Sequence, residues 1–111
     1  MRATARSTES AALREHENMK LRVQYMAQLR AAVGRTEEEI ELPDGNSLAD
    51  LLNQLANTHR AARSHFVTET GQARPSLLIV VNDSAVSARE AATTTLHSDD
   101  VVTLLPPIAG G

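Results

Sequence analysis

The chain has 111 residues, no cysteine and a formal net charge of −3 at pH 7. Its length is sufficient for one domain with its own core, and without cysteine there is no disulfide, thiolate metal site or cysteine nucleophile. Nucleic-acid binding is not expected, because the net charge is negative and only Tyr25 and Phe66 offer aromatic rings for base stacking.

The hydropathy pattern argues against a membrane association. No apolar run approaches the roughly 18 residues that a membrane span requires. The N-terminus also lacks the apolar stretch of a signal peptide. We therefore expect a cytoplasmic protein that has no membrane partner.

Residues 1–18 form a polar segment in which arginines and glutamates balance and only Leu13 is strongly apolar. Such a segment buries too little apolar surface to offset the entropy cost of ordering, so we expect a disordered extension. Patterned sequence begins abruptly at Met19, which suggests the hypothesis that Met19 is the natural start. A full-length N-terminal peptide in mass spectrometry of the native protein would contradict it.

The next 24 residues predict a strand, a short helix and a second strand. Leu21, Val23 and Tyr25 alternate with polar residues, as in a strand with one buried face. Residues 28–33 predict a short helix that ends at Gly34, a residue suited to the left-handed capping position. In the second strand, 37–42, apolar residues again alternate with glutamates, which we interpret as a solvated face or as a partner-docking patch.

A turn at 43–45 precedes the main helix of the chain. Ser47 is a good N-cap, and Asp50 three residues later completes a capping box. The apolar residues that follow have the i, i+3, i+4, i+7, i+8 spacing of one helical stripe, which predicts a helix packed on a sheet. These residues are Leu48, Leu51, Leu52, Leu55 and Ala56.

Between residues 59 and 75 the apolar pattern is lost and basic residues gather. We interpret the segment as a solvated loop, with the alternative that Arg60 and Arg63 contact an anionic partner or substrate. His59 and His65 are six residues apart, which is not a metal-ligand spacing on a helix, so no metal site is expected.

The last third of the chain predicts three strands. Residues 77–81 are continuously apolar, which suits a central strand covered on both faces. A turn and a short returning strand at 85–87 follow, and a final strand at 101–105 leads into the C-terminus. Together the elements predict an α+β domain over 19–105, with a mixed sheet of about five strands and one main helix packed on it.

The final residues, Pro-Pro-Ile-Ala-Gly-Gly at 106–111, look like a reactive end. Pro106 and Pro107 stop the strand and stiffen the exit, because proline fixes φ and has no amide donor. Gly110 and Gly111 have no Cβ, so the tail can lie extended in a narrow channel. The carboxylate of Gly111 is then the least hindered acyl group of the chain, and it becomes reactive once adenylated.

Four stretches carry a resemblance to a known family: 25–30, 47–52, 80–82 and 99–111. On these residues the chain resembles the MoaD/ThiS family of ubiquitin-like sulfur carriers, and most resembles its MoaD branch, the small subunits of molybdopterin synthase. The resemblance covers 20–111 and is specific only in the C-terminal motif. It implies the β-grasp, or ubiquitin-like, fold.

The resemblance also implies the chemistry and partners of the tail. In similar proteins an E1-like enzyme uses ATP and magnesium to adenylate the terminal glycine, and a sulfur donor converts the adenylate into a thiocarboxylate. By this resemblance Gly111 is the reacting residue, and the small residues Gly110 and Ala109 keep the tail narrow. Ile108 and the two prolines contact the partner, which is the large, MoaE-like synthase subunit. No cofactor is expected to reside on the chain itself.

Two other functions fit the same residues. The chain could be a carrier for another pathway, ThiS-like or otherwise, or a ubiquitin-like modifier; Lys20 is its only lysine. It could also be a non-reacting β-grasp interaction module. Neighbouring genes and the effect of deleting Gly111 would separate these alternatives.

Overall fold

The computed structural model describes residues 18–106. The five strands are β1 (Asn18–Tyr25), β2 (Glu37–Pro43), β3 (Leu78–Val81), β4 (Ser84–Val86) and β5 (Val101–Leu105). The α-helices are α1 (Gln28–Val33), α2 (Leu48–Thr58) and α3 (Arg63–Phe66), and two 3₁₀ segments span Arg60–Ala62 and Ala88–Thr93. The extension, except Asn18, and the tail, except Pro106, lie outside the described residues.

One mixed sheet contains all five strands, in the order β2-β1-β5-β3-β4. The central strand, β5, runs parallel to its neighbour β1, while every other pairing is antiparallel. The parallel pair joins the first and last strands of the described chain, and α2 lies between them in sequence. This is the β-grasp fold, which confirms the expected fold class. Asn18, which the sequence placed in the extension, pairs with Pro43 as the first residue of β1.

The core lies between one face of the sheet and α2. All five apolar residues predicted for the helical stripe are buried, and so are Leu21, Val23 and Tyr25 on the same side of β1. The predicted helix ends are also observed. Ser47 and Asp50 exchange the two hydrogen bonds of a capping box, and Gly34 ends α1 with φ of +88°.

Two predictions about the middle of the chain were wrong. The segment 77–81 is not covered on both faces, since Leu78 is 45% exposed while Ile79 is buried. The segment after α2 is not a plain loop, because Ala62 and Phe66 are fully buried and hold short helical turns against α1 and α2. In both places the burial depends on partners from distant parts of the chain, which a local pattern does not reveal.

The start of β5 is held by a buried carboxylate. Asp100 accepts hydrogen bonds from Asn82 Nδ2 at 2.7 Å and from the His97 amide at 2.8 Å. Asn82 in turn accepts one from the Val101 amide at 2.9 Å. A buried carboxylate needs such donors, because burial without them would cost several kcal/mol, on the order of an unpaired ion. The bonds fix where β5 begins between its neighbours.

Replacing Ser47 by alanine should destabilise the domain by about 1 kcal/mol, because the Asp50 amide loses its side-chain acceptor at the start of α2. Urea denaturation followed by circular dichroism measures this change. Ser98→Ala, at an exposed turn residue, is the matched control. Equal stabilities for the two variants would show that the cap contributes nothing.

Candidate functional site

The C-terminal strand leaves the sheet at one defined end of the domain. In the parallel pair, Leu104 lies opposite Tyr25, and the Met26 amide donates to the Leu104 carbonyl at 3.1 Å. Leu105 pairs with Leu78 on the other side, and Pro106 follows. We call this the exit end; it comprises the ends of β1 and β5 and the starts of β2 and β3.

Of the predicted tail residues, the structure places only Pro106, which is half-buried directly after β5. Pro107, Ile108, Ala109, Gly110 and Gly111 lie outside the described residues. The exit end is therefore where the domain delivers the tail, and the chemistry of the terminal glycine remains a prediction from the sequence.

Apolar side chains lie on the open face of the sheet at the exit end. Met26 is 37% and Leu78 is 45% exposed, and they are the two exposed large hydrophobic residues of the described chain. Leu105 is half-buried opposite Leu78, and Val80 is half-buried on the same face of β3. We call Met26, Leu78, Val80 and Leu105 the open-face patch. Its position beside the tail exit suits a surface that docks on a partner.

On the core face of the sheet, a buried polar cluster links the elements that form the exit end. The Glu38 side chain is only 9% exposed. It accepts hydrogen bonds from the Tyr25 hydroxyl, from His59 Nε2 at 2.6 Å and from Arg35 Nη1 at 3.2 Å. The cluster thus joins the end of β1, the start of β2 and the residue that follows α2. Tyr25 also contacts His59 edge-on and Phe66 at a tilted angle, both at a ring centroid separation of 6.2 Å.

The environment of Tyr25 disfavours its ionised form. Burial, together with the hydrogen bond to the Glu38 carboxylate and the charge of that group, raises the pKa of the Tyr25 hydroxyl well above its usual value. Ionisation would place two anions in contact in a dry site. Tyr25 therefore remains a hydrogen-bond donor to Glu38 above the pH at which an ordinary tyrosine ionises.

Sequence reasoning missed Glu38, because it assigned the glutamates of β2 to a solvated face. Glu37, Glu39 and Glu41 are indeed exposed. Glu38, however, has the same parity as the buried residues Ile40 and Leu42, and alternation along a strand puts all three on one face. That parity was a signal that could have revealed the buried carboxylate.

The two arginines suggested as contacts lie together near the exit end. Arg60 is in the first 3₁₀ segment and Arg63 begins α3, and both are exposed. The 3₁₀ segment contacts α1, which itself contacts β1 and β5. The structure thus brings Arg60 and Arg63 to the side of the molecule from which the tail leaves.

Two other features concern metals and membranes. Within residues 18–106, no group of three or more His, Asp or Glu side chains is arranged to hold a metal ion. The helices in that part of the chain are too short and too polar to cross a bilayer.

Comparison with known proteins places this geometry in a family. The model of the ThiS family matches residues 23–111, from Val23 in the last part of β1 to the last glycine. The chain belongs to the ThiS family. It is thus a ubiquitin-like β-grasp protein of the sulfur-carrier type, as the sequence resemblance implied.

Individual relatives differ in their described roles. The chain is 30% identical over 93 residues to the molybdopterin synthase sulfur carrier subunit of Chlamydomonas reinhardtii, covering 84% of this chain and 100% of the relative. It is 26% identical, with the same coverage, to small archaeal modifier protein 3 of Haloferax volcanii. A solved putative molybdopterin converting factor subunit 1 from Pyrococcus furiosus is 32% identical with a TM-score of 0.65, covering 81% of this chain and 99% of that one.

The raised pKa of Tyr25 gives a test of the Glu38 cluster at high pH. In the unfolded chain Tyr25 loses its proton near the ordinary tyrosine pKa of about 10, while the folded state holds it to higher pH. The unfolded state therefore binds fewer protons above that pH, and the free energy of unfolding should fall by up to about 1.4 kcal/mol per pH unit.

The experiment compares urea midpoints of the wild type and Tyr25→Phe between pH 9 and 11.5. The variant loses this group's contribution, so its stability should decline less steeply than that of the wild type. Phe66→Leu, which alters the same core without removing an ionisable group, is the control. Parallel declines in all three proteins would contradict the assignment.

Proposed function

We propose that the chain is a sulfur carrier whose terminal carboxylate is activated and converted into a thiocarboxylate. A carboxylate oxygen of Gly111 attacks the α-phosphorus of ATP, and pyrophosphate leaves. Hydrosulfide then adds to the acyl carbon and AMP leaves, which yields the C-terminal thiocarboxylate. The observation that carries the proposal is that the family match extends through Gly111, directly beyond the strand that ends at the exit end.

Each tail residue has a distinct part in this proposal. Gly111 is the reacting residue, while Gly110 and Ala109 let the tail pass through a channel too narrow for larger side chains. Ile108, Pro107 and Pro106 set the direction of the tail and contact the partner that receives it. ATP and magnesium belong to the E1-like activating enzyme. The carrier would hold an AMP adduct or a sulfur atom only transiently.

The open-face patch gives the carrier a surface for its partners. Four apolar side chains lie beside the tail exit, so a partner that covers them also receives the tail in one orientation. Burying the exposed part of a leucine is worth about 1 kcal/mol. The cytoplasm, where ATP and the activating enzyme act, is the proposed location of this exchange.

The proposed acceptor is the pterin precursor of molybdopterin, and the proposed partner is the large, MoaE-like subunit of molybdopterin synthase. The similarity to the Chlamydomonas carrier subunit and to the Pyrococcus converting factor supports this choice. After sulfur transfer, the carrier would return as a plain carboxylate for another cycle.

Protein modification is the second candidate function, favoured by the similarity to a small archaeal modifier protein. In that reaction a lysine amine of a target would attack the activated Gly111 carbonyl and form an isopeptide bond. Lys20 is exposed on β1 and is the one lysine on which the carrier could be conjugated to itself. A ladder of higher-mass conjugates in cells, lost when Gly111 is deleted, would favour this function over sulfur transfer.

The proposed chemistry predicts a mass change. Incubation with the E1-like enzyme of the same organism, ATP, magnesium and a sulfide source should add about 16 Da, since sulfur replaces one oxygen at the terminus. Intact-mass spectrometry measures this gain. The chain lacking Gly111 should show none, whereas Ala92→Ser, exposed on the helical side of the sheet, should react normally. An unchanged wild-type mass would refute sulfur transfer.

A second prediction concerns the open-face patch. Leu78→Ser should weaken binding to the large subunit about 5- to 10-fold, because apolar burial at the interface is lost. Stability should change little, since the side chain is already 45% exposed. Isothermal titration calorimetry compares it with Ala92→Ser, and equal affinities would exclude Leu78 from the interface.

A further inference from the structure

The two ends of the domain differ in formal charge. The glutamates at the exit end are met by basic residues: Glu37 pairs with Arg22, Glu38 pairs with Arg35 and His59, and Glu39 lies opposite Arg22 in the β1–β2 ladder. Four arginines surround the exit end: Arg30 in α1, Arg35 before β2, Arg60 in the 3₁₀ turn and Arg63 at the start of α3. We call these four the basic exit surface. The opposite end carries acidic residues in its turns and at the start of α2: Asp44, Asp50, Asp83 and Asp99. Lys20 near that end lies opposite Glu41 in the β1–β2 ladder.

The basic exit surface is built on a rigid frame. Glu38 holds Arg35 on one oxygen and His59, the neighbour of Arg60, on the other. Phe66 is fully buried at the end of α3 and so anchors the helix that Arg63 begins. The Gly34 amide closes α1 onto the Arg30 carbonyl at 2.9 Å. The arginine backbones are therefore fixed relative to the strand that delivers the tail.

Internal ion pairs do not explain these arginines. Among residues 18–106, the ion pairs that involve arginine use Arg22 and Arg35, and none uses Arg30, Arg60 or Arg63. The negative end of the α2 dipole favours cations at the C-terminal end of that helix. This stabilisation is only about 0.3–1 kcal/mol and is confined to the last turn. That effect does not account for Arg30 in a different helix. Three exposed cations on one side of a chain with net charge −3 remain available to an external anion.

We propose that the basic exit surface docks on an acidic protein surface that borders the tail-binding channel of the E1-like activating enzyme. This inference rests on the proposed function and adds the chemistry of the partner's surface. A protein fits better than a nucleic acid, because the described residues offer no exposed aromatic side chain for base stacking and the apolar open-face patch lies at the same end. Apolar contact and charge then act together around the tail.

The difference in charge between the two ends orients the carrier before contact. A positive end and a negative end form a dipole along the direction in which β5 runs, so an acidic channel rim attracts the exit end and repels the opposite one. Such steering raises association rates by about 10- to 1,000-fold and weakens as salt shortens the Debye length. The main effect of the arginines is therefore on the rate of association.

The test measures association of the full chain with the E1-like enzyme by stopped-flow fluorescence at 20, 150 and 500 mM salt. Arg60→Glu and Arg63→Glu each change the net charge by −2, and Arg89→Glu, exposed in the second 3₁₀ segment, makes the same change outside the basic exit surface. The first two should associate about 3- to 10-fold more slowly at low salt, and the difference should shrink at 500 mM. Arg89→Glu should stay within about twofold of the wild type.

The outcomes separate steering from carrier chemistry. With enzyme in saturating excess, Arg60→Glu and Arg63→Glu should still gain about 16 Da, because the tail is intact. Equal slowing by all three variants, or no slowing by any, would overturn the docking surface. So would binding of a fluorescent 20-nucleotide RNA that is lost in Arg63→Glu while enzyme association is unchanged. Selective slowing without any mass gain in the wild type would support the docking surface and refute sulfur transfer.

Discussion

The parallel pairing of β1 with β5 is the interaction on which the rest of the structure depends. It places the last strand in the centre of the sheet, beside the first, with Val102 opposite Val23 and Leu104 opposite Tyr25. A parallel pair needs a long crossover connection, and here the crossover contains α2, which covers the core. The same pairing makes the chain leave the sheet in a fixed direction. Pro106 therefore follows directly from a rigid part of the sheet.

Around that exit, the two faces of the sheet serve different purposes. On the inner face, Glu38 with its three donors joins elements that are distant in sequence, and the buried site makes each of these bonds stronger than it would be in water. On the outer face, Met26 and Leu78 remain exposed. The Glu38 cluster thus stabilises the exit end from the core side. The open face of the same end keeps an apolar area that a partner can cover.

Much of the fold could be predicted from local patterns. The alternation in β1, the capping box at Ser47 and the stripe of α2 each depend on residues close in sequence, and each was confirmed. The predictions that failed depend on contacts between residues far apart in sequence. A continuous apolar run at 77–81 cannot by itself reveal that one side of the sheet stays open, and Phe66 is buried only because Tyr25 and α2 meet it.

The candidate site likewise combines features that lie within a short stretch of sequence with features that join distant residues. The terminal motif could be proposed from the sequence because it is contiguous, and Arg60 and Arg63 could be suggested because both lie in one basic segment. The Glu38 cluster joins positions 25, 35, 38 and 59, so no short window of sequence contains it. The basic exit surface likewise requires the register that brings α1 next to the 3₁₀ turn.

The central claim is that an activating enzyme adenylates the carboxylate of Gly111, and ATP–pyrophosphate exchange tests it most directly. The E1-like enzyme of the same organism would be assayed with the wild-type chain and with a semi-synthetic chain that differs only in a C-terminal amide. We predict that the wild type supports exchange of labelled pyrophosphate into ATP and that the amide does not. Equal exchange with both chains would contradict the claim, because the amide has no carboxylate to activate.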